Sequence, residues 1–137
     1  MEHKQLLTVF NSLPVGIGFF TADGTLVRCN ESFCRIFGAD SQTLLGNKLN
    51  INENSVVPDV VKEAVRRCVP VQMSFLYDFD KQRTDKRFFS TRTRTCYLKC
   101  NGNPLYDNDG KFVNYIFIFE DITETVKSEE VLRQSRR

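Results

Sequence analysis

Apolar residues near the start of the chain recur at helical spacing before any strand pattern begins. They predict an amphipathic helix over residues 2–13, which Pro14 ends. A helix this short is not stable alone in water, so its apolar stripe must lie on another apolar surface. The stripe comprises Leu6, Leu7, Val9, Phe10 and Leu13.

Two short strands are expected next. Apolar residues alternate with two glycines over residues 15–20, which predicts a strand with one sparsely covered face that another group can approach closely. Asp23-Gly24 is a strong hairpin signal, and it leads into a returning strand over residues 26–29.

Three helices are predicted in the middle of the chain. Asn30 is a good N-cap for a helix that Gly38 ends, and a second short helix is expected over residues 41–45. A longer helix is predicted over residues 57–68, before Pro70. Its apolar stripe comprises Val57, Val60, Val61, Ala64, Val65 and Cys68.

Strand patterns dominate the second half of the chain. Alternation predicts strands over residues 71–78, 88–101 and 112–120. A polar loop over residues 78–86 and a turn over residues 103–110 separate them. The order is two strands, then helices, then three strands. It predicts an α+β fold with five antiparallel strands and helices on one side.

The last strand is apolar on both faces, since residues 112–119 read F-V-N-Y-I-F-I-F. An antiparallel sheet with one wet face should alternate instead. The outer face therefore needs cover, either from the helix over residues 2–13 or from a second copy of the chain. We expect a homodimer whose interface comprises Leu6, Leu7, Val9, Phe10, Leu13, Ile116 and Ile118.

A final helix is predicted after the last strand. Asp121 and Glu124 match a capping box, and the helix should run on toward Arg137. Its apolar stripe is thin, which is typical of a helix that continues into another domain. We therefore expect an N-terminal amphipathic helix, a core and the start of a linker helix to a C-terminal output domain, over residues 1–13, 14–121 and 122–137.

Length, charge and hydropathy limit the classes of function that the chain could have. A length of 137 residues favours one domain, and a net charge of +2 is too small to indicate direct contact with nucleic acid. No signal peptide opens the chain, and no apolar run approaches the length of a membrane span. We expect a cytoplasmic segment without membrane contact of its own, which a membrane-anchored receptor could also carry.

The chain has five cysteines, an odd number that argues against a disulfide framework and favours reduced thiols. Cys96 and Cys100 share one strand face about 13 Å apart, too far to bridge. Cys29 and Cys34 could approach each other across the turn between strand and helix. Core packing is the first interpretation for all five, and a thiol-based redox protein is an alternative.

Several segments together resemble the PAS domain family. They are L-P-V-G-I in the first strand, D-G-T-L-V-R-C-N-E-S-F-C-R-I-F-G, the following L-L-G and the closing E-D-I-T-E. The resemblance covers residues 5–125, and its ending is most similar to the sensor modules of bacterial histidine kinases.

The resemblance implies a sheet in the strand order 2-1-5-4-3, with helices cupped over one face. It implies a sensory and signal-relay function rather than catalysis, so no catalytic residue is expected in this segment. Asp121 and Thr123 match the Asp and Thr that tie the last strand to the output helix in the family. The full-length protein would then carry an output domain, such as a histidine kinase.

Known cofactors of such sensors find little support in the residues. Haem-binding members place a His on the long helix, whereas the only His here is His3, and Cys68 is more plausible as a core residue. Flavin-adduct members need Cys in G-x-N-C-R-F-L-Q, whereas Cys34 lies in E-S-F-C-R-I-F-G. No metal-ligand spacing is present. We therefore expect no cofactor, or an unidentified small molecule.

A pocket between sheet and helices remains as a candidate site for a small apolar ligand. We prefer the interpretation that phenylalanine side chains fill it, and a ligand-binding module is the alternative. The candidate lining residues are Ile17, Phe19, Phe33, Phe37, Val61, Val65, Phe75, Cys96, Leu98 and Phe117.

Overall fold

The computed structural model describes residues 2–83 and 90–135. Its five strands form one antiparallel sheet in the order β2-β1-β5-β4-β3, which confirms the predicted order. The strands are β1 (Gly16–Phe20), β2 (Leu26–Cys29), β3 (Val71–Asp78), β4 (Thr95–Tyr106) and β5 (Phe112–Asp121). The helices are α1 (His3–Ser12), α2 (Glu31–Phe37), α3 (Ser41–Gly46), α4 (Asp59–Arg67), α5 (Phe79–Gln82) and α6 (Thr123–Ser135), with a 3-10 turn at Ile51–Glu53.

The predicted caps of α2 are confirmed, and α3 has a cap of the same kind. Oδ1 of Asn30 accepts a hydrogen bond from the Phe33 amide, and Gly38 ends α2 in the left-handed conformation with φ of 68°. The Asp40 carboxylate accepts from the Thr43 amide at the start of α3. These local signals place both helices because a cap satisfies amides that otherwise lack partners.

The two faces of β1 have different neighbours. Gly16 and Gly18 pair with Phe119 and Phe117 of β5, so these residues share the face that α2 covers. A Cβ atom on Gly16 would lie 2.9 Å from the Phe33 Cα atom. The glycines thus allow α2 to lie directly on the strand, which is the close approach that the sequence predicted.

Aromatic side chains make up much of the core between the sheet and the helices. Phe37 contacts three other rings, with centroids 4.7 Å from Phe33, 5.2 Å from Phe119 and 5.4 Å from Tyr77. Phe117 is fully buried beside Phe119. The predominance of phenylalanine in this chain is thus used mainly to fill the inner face of the sheet.

The opposite, outer face of the sheet is also apolar near β1 and β5. Ile17 pairs with Ile118 and Phe19 pairs with Ile116, and both isoleucines of β5 are half-buried. The helix α1 lies against this face, where the Phe10 and Phe19 rings are 5.9 Å apart. Leu6, Leu7 and Val9 of α1 nevertheless remain 54%, 47% and 47% exposed.

Three predicted elements differ from the structure. The expected loop after β3 begins with the helix α5, because the Asp78 side chain caps the amides of Asp80 and Lys81 and Phe79 is fully buried. The strand predicted over residues 88–101 starts only at Thr95, and its first two residues lie outside the described part of the chain.

The same strand also ends later than predicted. The expected turn from Asn103 is still paired, since Asn103 and Pro104 oppose Ile116 and Tyr115 of β5. In α4, the predicted apolar stripe is correct for its three buried members but wrong for Val60, which is 62% exposed. Val60 points away because it precedes the buried Val61 by one residue, a rotation of about 100°.

Candidate functional site

A small cavity lies between the inner face of the sheet and the helices. Its volume is about 30 Å³, which is room for roughly one water molecule. Because this volume is small, the surrounding side chains, most of them apolar, fill most of the space between the sheet and the helices. The lining residues are Phe20, Phe33, Phe37, Leu49, Asn50, Ile51, Asn54, Val57, Tyr77 and Phe119.

Two polar side chains of the wall bond to each other. Nδ2 of Asn54 donates to Oη of Tyr77 at 2.8 Å, and Oδ1 of Asn54 accepts from the Val56 amide. Asn54 and Tyr77 are both buried. A largely apolar wall with one fixed polar pair is typical of a small-molecule site, where the polar pair orients the ligand.

The structure brings only part of the predicted pocket set together. Phe33 and Phe37 line the cavity. Six other candidates lie on the same side of the sheet, in the surrounding core, but do not line it. They are the buried Val61, Val65, Cys96, Leu98 and Phe117 and the half-buried Phe75.

The placement of Ile17 and Phe19 in the pocket is wrong. Both side chains lie on the outer face, paired with Ile118 and Ile116 and close to α1. Alternation indicated that the two residues share a face but not which face that is. The glycine face, with Phe20 at its end, is the one that faces α2.

Other lining residues had weak signals in the sequence. Phe119 shares a strand face with Phe117, so strand alternation could have identified it. Tyr77 comes from β3, and Val57 belonged to the stripe predicted for the long helix. Leu49, Asn50, Ile51 and Asn54 come from the segment between α3 and α4, where the sequence has neither helix nor strand periodicity. The hydrogen bond between Asn54 and Tyr77 spans 23 residues, which local patterns do not reveal.

Most of the thiols lie in environments that oppose ionisation. Burial raises the pKa of Cys100 to about 12 and the pKa of Cys96 to about 11. Burial and the neighbouring Cys34 raise the pKa of Cys29 to about 12, and burial also raises the pKa of Cys34. A thiol that acts as a fast nucleophile needs a lowered pKa, so these four are unsuited to that role.

Asp121 and Thr123 meet at the junction between β5 and α6. The Asp121 carboxylate accepts from the Thr123 amide at 3.0 Å and from the Thr123 hydroxyl at 2.5 Å. The Thr123 hydroxyl oxygen accepts from the Tyr97 amide at 3.0 Å, and the Ile122 amide donates to the Tyr97 carbonyl at 2.9 Å. Four hydrogen bonds thus hold the start of α6 on β4 and β5.

This geometry corrects the predicted capping box. Asp121 is still part of β5, and its carboxylate bonds to the residue two positions later rather than to Glu124. Burial alone would raise the pKa of Asp121, but the hydrogen bonds from Thr123 and Arg92 outweigh it and lower the pKa. The carboxylate is therefore ionised at neutral pH and accepts all of these bonds.

Arg92 connects this junction to α2, and sequence patterns gave no sign of it. Its Nη1 lies 3.1 Å from Oδ2 of Asp121 and donates to the Ile36 carbonyl at 2.9 Å. The guanidinium group also lies 4.8 Å from the centre of the Phe79 ring. One cation therefore joins the C-terminal turn of α2, the helix α5 and the end of β5, from which the chain continues into α6.

A family model described as the PAS fold matches residues 10–127 of this chain. The chain belongs to the PAS family. The prediction made from the residues is thereby confirmed for the family and for the fold. Domains of this family are in general sensory and not catalytic.

Solved structures support the same fold. An RNA-binding light-oxygen-voltage receptor matches with a TM-score of 0.71 and 18% identity, over 97% of this chain and 36% of its own. A PAS domain from Colwellia psychrerythraea matches with a TM-score of 0.65 and 16% identity, over 88% of this chain and 97% of its own. A PAS domain from a two-component sensor histidine kinase matches with a TM-score of 0.61 and 14% identity, over 86% and 94%.

The match with the light-oxygen-voltage receptor covers only about a third of the length of that receptor. No curated protein matches the chain. At these identities, the neighbours establish the fold of the PAS domain and nothing about its ligand.

Within residues 2–83 and 90–135 of the PAS domain, no group of three or more His, Cys, Asp or Glu side chains is arranged to hold a metal ion. Within the same residues, no helix has both the length and the apolar character that crossing a membrane requires.

Proposed function

We propose that this PAS domain is a sensory relay module that dimerises and passes a change in its core to a C-terminal output domain. The observation that carries the proposal is the bonding of the α6 start to the sheet through Thr123 and Tyr97. The presence of a similar domain in a two-component sensor histidine kinase supports a histidine kinase as the output. The input is a ligand or a conformational signal.

The route from core to output helix runs through α2 and Arg92. Phe37 lines the cavity, and the preceding residue, Ile36, accepts a hydrogen bond from Arg92 through its carbonyl. A ligand that displaces the Phe37 ring shifts the last turn of α2 and with it this carbonyl. Arg92 then changes its contact with Asp121, which alters how firmly α6 is held. Such a relay needs two arrangements of Arg92 whose balance the signal changes.

Dimerisation is the second part of the proposal. The helix α1 leaves Leu6 and Leu7 about half exposed beside the apolar outer face of β1 and β5. Pairing with a second copy removes this surface from water. Each Å² of apolar area that is buried contributes about 25 cal/mol of favourable free energy to association. The interface comprises the predicted residues Leu6, Leu7, Val9, Phe10, Leu13, Ile116 and Ile118, and the active module is a homodimer.

The relay is tested with a chimaera in which α6 continues into a histidine kinase output domain. Asp121→Ala removes the acceptor for Thr123 and Arg92 and should change kinase activity at least several-fold, while the PAS core stays folded. Glu120→Ala is the matched control, because Glu120 is the neighbouring carboxylate on β5 and is exposed. Equal activities of wild type and Asp121→Ala would contradict the relay.

A small-molecule ligand is the second candidate function, favoured by the apolar cavity and its buried Asn54–Tyr77 pair. Because the cavity holds about one water, the Phe33 or Phe37 ring must move to admit a ligand. Native mass spectrometry of the purified protein should then reveal a bound small molecule. An absorbance spectrum tests haem and flavin in the same sample. Absence of a bound mass, together with no thermal shift on adding apolar metabolites, would contradict this candidate.

The thiol-based redox protein stays as a further alternative, although the raised pKa values of four thiols weigh against it. Alkylation of the native protein tests it directly. A thiol with catalytic reactivity would be labelled far faster than the others, whereas uniformly slow labelling would remove the alternative.

A further inference from the structure

Cys29 and Cys34 bring their sulfur atoms within 3.9 Å of each other. Cys29 is the last residue of β2 and lies opposite Gly18, whereas Cys34 lies in the middle of α2. Both side chains are half-buried, so small solutes can reach them. Sulfur atoms in a disulfide are about 2.05 Å apart, so closing the bond needs an approach of less than about 2 Å.

We propose that Cys29 and Cys34 form a reversible intramolecular disulfide, which makes the joint between β2 and α2 a redox modification site. The reaction partner is a low-molecular-weight disulfide, for which oxidised glutathione is the probe. The inference does not rest on the relay function, because it follows from the position of the two sulfurs. It also differs from a redox protein, since the chain undergoes the exchange and does not catalyse it.

The reaction proceeds by two thiol–disulfide exchanges. The Cys34 thiolate attacks one sulfur of oxidised glutathione, which forms a mixed disulfide and expels one glutathione thiolate. The Cys29 thiolate then attacks Sγ of Cys34 and expels the second glutathione thiolate. The two protons of the cysteine thiols end on the two glutathione molecules. Two electrons pass from the protein to the glutathione disulfide, and excess reduced glutathione reverses both steps.

The pKa shifts of the two thiols indicate which cysteine attacks oxidised glutathione first and that the exchange is slow. Burial and the adjacent Cys34 raise the pKa of Cys29 to about 12. Burial also raises the pKa of Cys34, but the hydrogen bond from Cys29 favours the Cys34 thiolate; Asp40 and Glu31 add to the rise, and Arg35 opposes it. Cys34 is therefore the first nucleophile. Because exchange rates follow the thiolate fraction, the disulfide forms slowly, and its extent at equilibrium depends on the geometry of the pair.

The other three cysteines lack this arrangement. Cys96 and Cys100 are buried and separated by about 13 Å of strand. Cys68 ends α4, with its sulfur 3.6 Å from the Tyr106 hydroxyl oxygen. The close sulfur pair is therefore specific to the joint between β2 and α2.

The disulfide would enclose Asn30, the residue that organises this joint. Oδ1 of Asn30 accepts from the Ile17 and Phe33 amides, and Nδ2 donates to the Phe10 and Val15 carbonyls. Because Cys29 precedes Asn30 and Cys34 follows it, one disulfide between them ties the first turn of α2 to β2. Phe33 in that turn lines the cavity, so the oxidised form should resist opening of the cavity.

The test uses the Cys68→Ser protein, which removes the one half-buried thiol outside the pair and leaves four of the five cysteines. Reduced protein is equilibrated with mixtures of reduced and oxidised glutathione, quenched, unfolded and alkylated. We expect a product about 2 Da lighter that takes two alkyl groups instead of four, with a peptide map that links Cys29 to Cys34. Recovery of four alkyl groups at every ratio, or a link between other cysteines, would overturn the proposal.

Two control measurements test whether disulfide formation depends on the folded chain and on Cys29. The same titration in urea gives the tendency of the short unfolded segment to close by itself. We expect the native protein to form the disulfide with an equilibrium constant at least about tenfold higher, because the fold holds the sulfurs together. An equal equilibrium constant in urea would overturn the proposal that the fold positions the two sulfur atoms for disulfide formation. Cys29→Ser in the Cys68→Ser background leaves three cysteines, and its reaction should stop at a mixed disulfide on Cys34 that leaves two thiols to alkylate. An internal disulfide in this variant, with one alkylated thiol, would also overturn the proposal.

Discussion

Arg92 Nη1 and Asp121 Oδ2 lie 3.1 Å apart, and this ion pair joins the segment before β4 to the end of β5. The two side chains are 31% and 29% exposed, so water partly screens the pair and its contribution to stability is modest. The ion pair matters because of the elements that it connects. The same nitrogen of Arg92 donates to the Ile36 carbonyl, so the pair connects the cavity wall with the output helix.

Replacement of Arg92 should loosen the start of α6. Arg92→Gln removes the ion pair with Asp121 and the contact over Phe79, and we expect a loss of about 1–2 kcal/mol in the free energy of unfolding. Amides in the first turn of α6 should exchange faster with solvent, which hydrogen-exchange mass spectrometry measures. Arg133→Gln is the control, since Arg133 pairs only within α6 with Glu130 among the described contacts. Unchanged exchange in Arg92→Gln would contradict the anchor.

Acid should release the same junction. The folded state lowers the pKa of Asp121 below the ordinary value of 3.8, so its ionised form stabilises the fold. That contribution is complete above the unfolded pKa and is lost as the pH falls through the folded pKa. We therefore expect the Thr123 amide resonance to move in a single step below about pH 4. Asp121→Asn cannot titrate at this position, and an identical step in that variant would assign the transition to another group.

Asn30 should be among the most sensitive polar residues of the chain. It is 1% exposed, and its side chain makes four hydrogen bonds to the main chain. Asn30→Ala leaves these buried groups without partners, and we expect a loss of about 2–4 kcal/mol in urea unfolding. Asn52→Ala removes an exposed asparagine that donates to the Asp23 carbonyl, and it should cost less than about 1 kcal/mol. Similar losses for the two variants would contradict the role of Asn30 at this joint.

A methyl group on the inner face of β1 should disturb the packing of α2. In Gly18→Ala the new Cβ atom would lie 2.8 Å from Cε2 of Phe33 and 3.0 Å from Cε1 of Phe20. We expect a loss of about 1–3 kcal/mol in the free energy of unfolding from overpacking. Gly46→Ala is the control, because nothing lies within 4 Å of its Cβ position, and it should be neutral or stabilising. Equal stability of Gly18→Ala and wild type would show that this face has more room than the structure indicates.

The success of the sequence prediction followed the range of the interactions. Asn30 and Gly38 act on residues within one turn, and the helix α2 that they bound was predicted correctly. The strand order was correct through the family resemblance. Local signals and a known chain order together were enough for the fold.

The candidate site depended on information that the sequence does not contain locally. Alternation put Ile17 and Phe19 on one face but could not say that α2 covers the other. Arg92 reaches Ile36, 56 residues earlier, from an irregular segment that was expected to be a strand. Contacts of this range are set by the packing of the whole domain, so no pattern around Arg92 could indicate them.

The outer face supplies the last prediction, which concerns the homodimer. Leu7 is 47% exposed on α1, close to the Phe10 and Phe19 rings. Leu7→Lys places a charge in the proposed interface, where an unpaired cation loses its hydration. We expect the dissociation constant of the dimer to rise at least tenfold, about 1.4 kcal/mol, as measured by sedimentation equilibrium.

Val60→Lys is the matched control for this prediction, because Val60 is equally apolar and is exposed on α4, across the sheet from α1. It should leave the dimer unchanged. A wild-type chain that stays monomeric throughout the concentration series would contradict the homodimer itself. Equal weakening by both substitutions would place the interface elsewhere, since a charge on α4 cannot reach the outer face of β1 and β5.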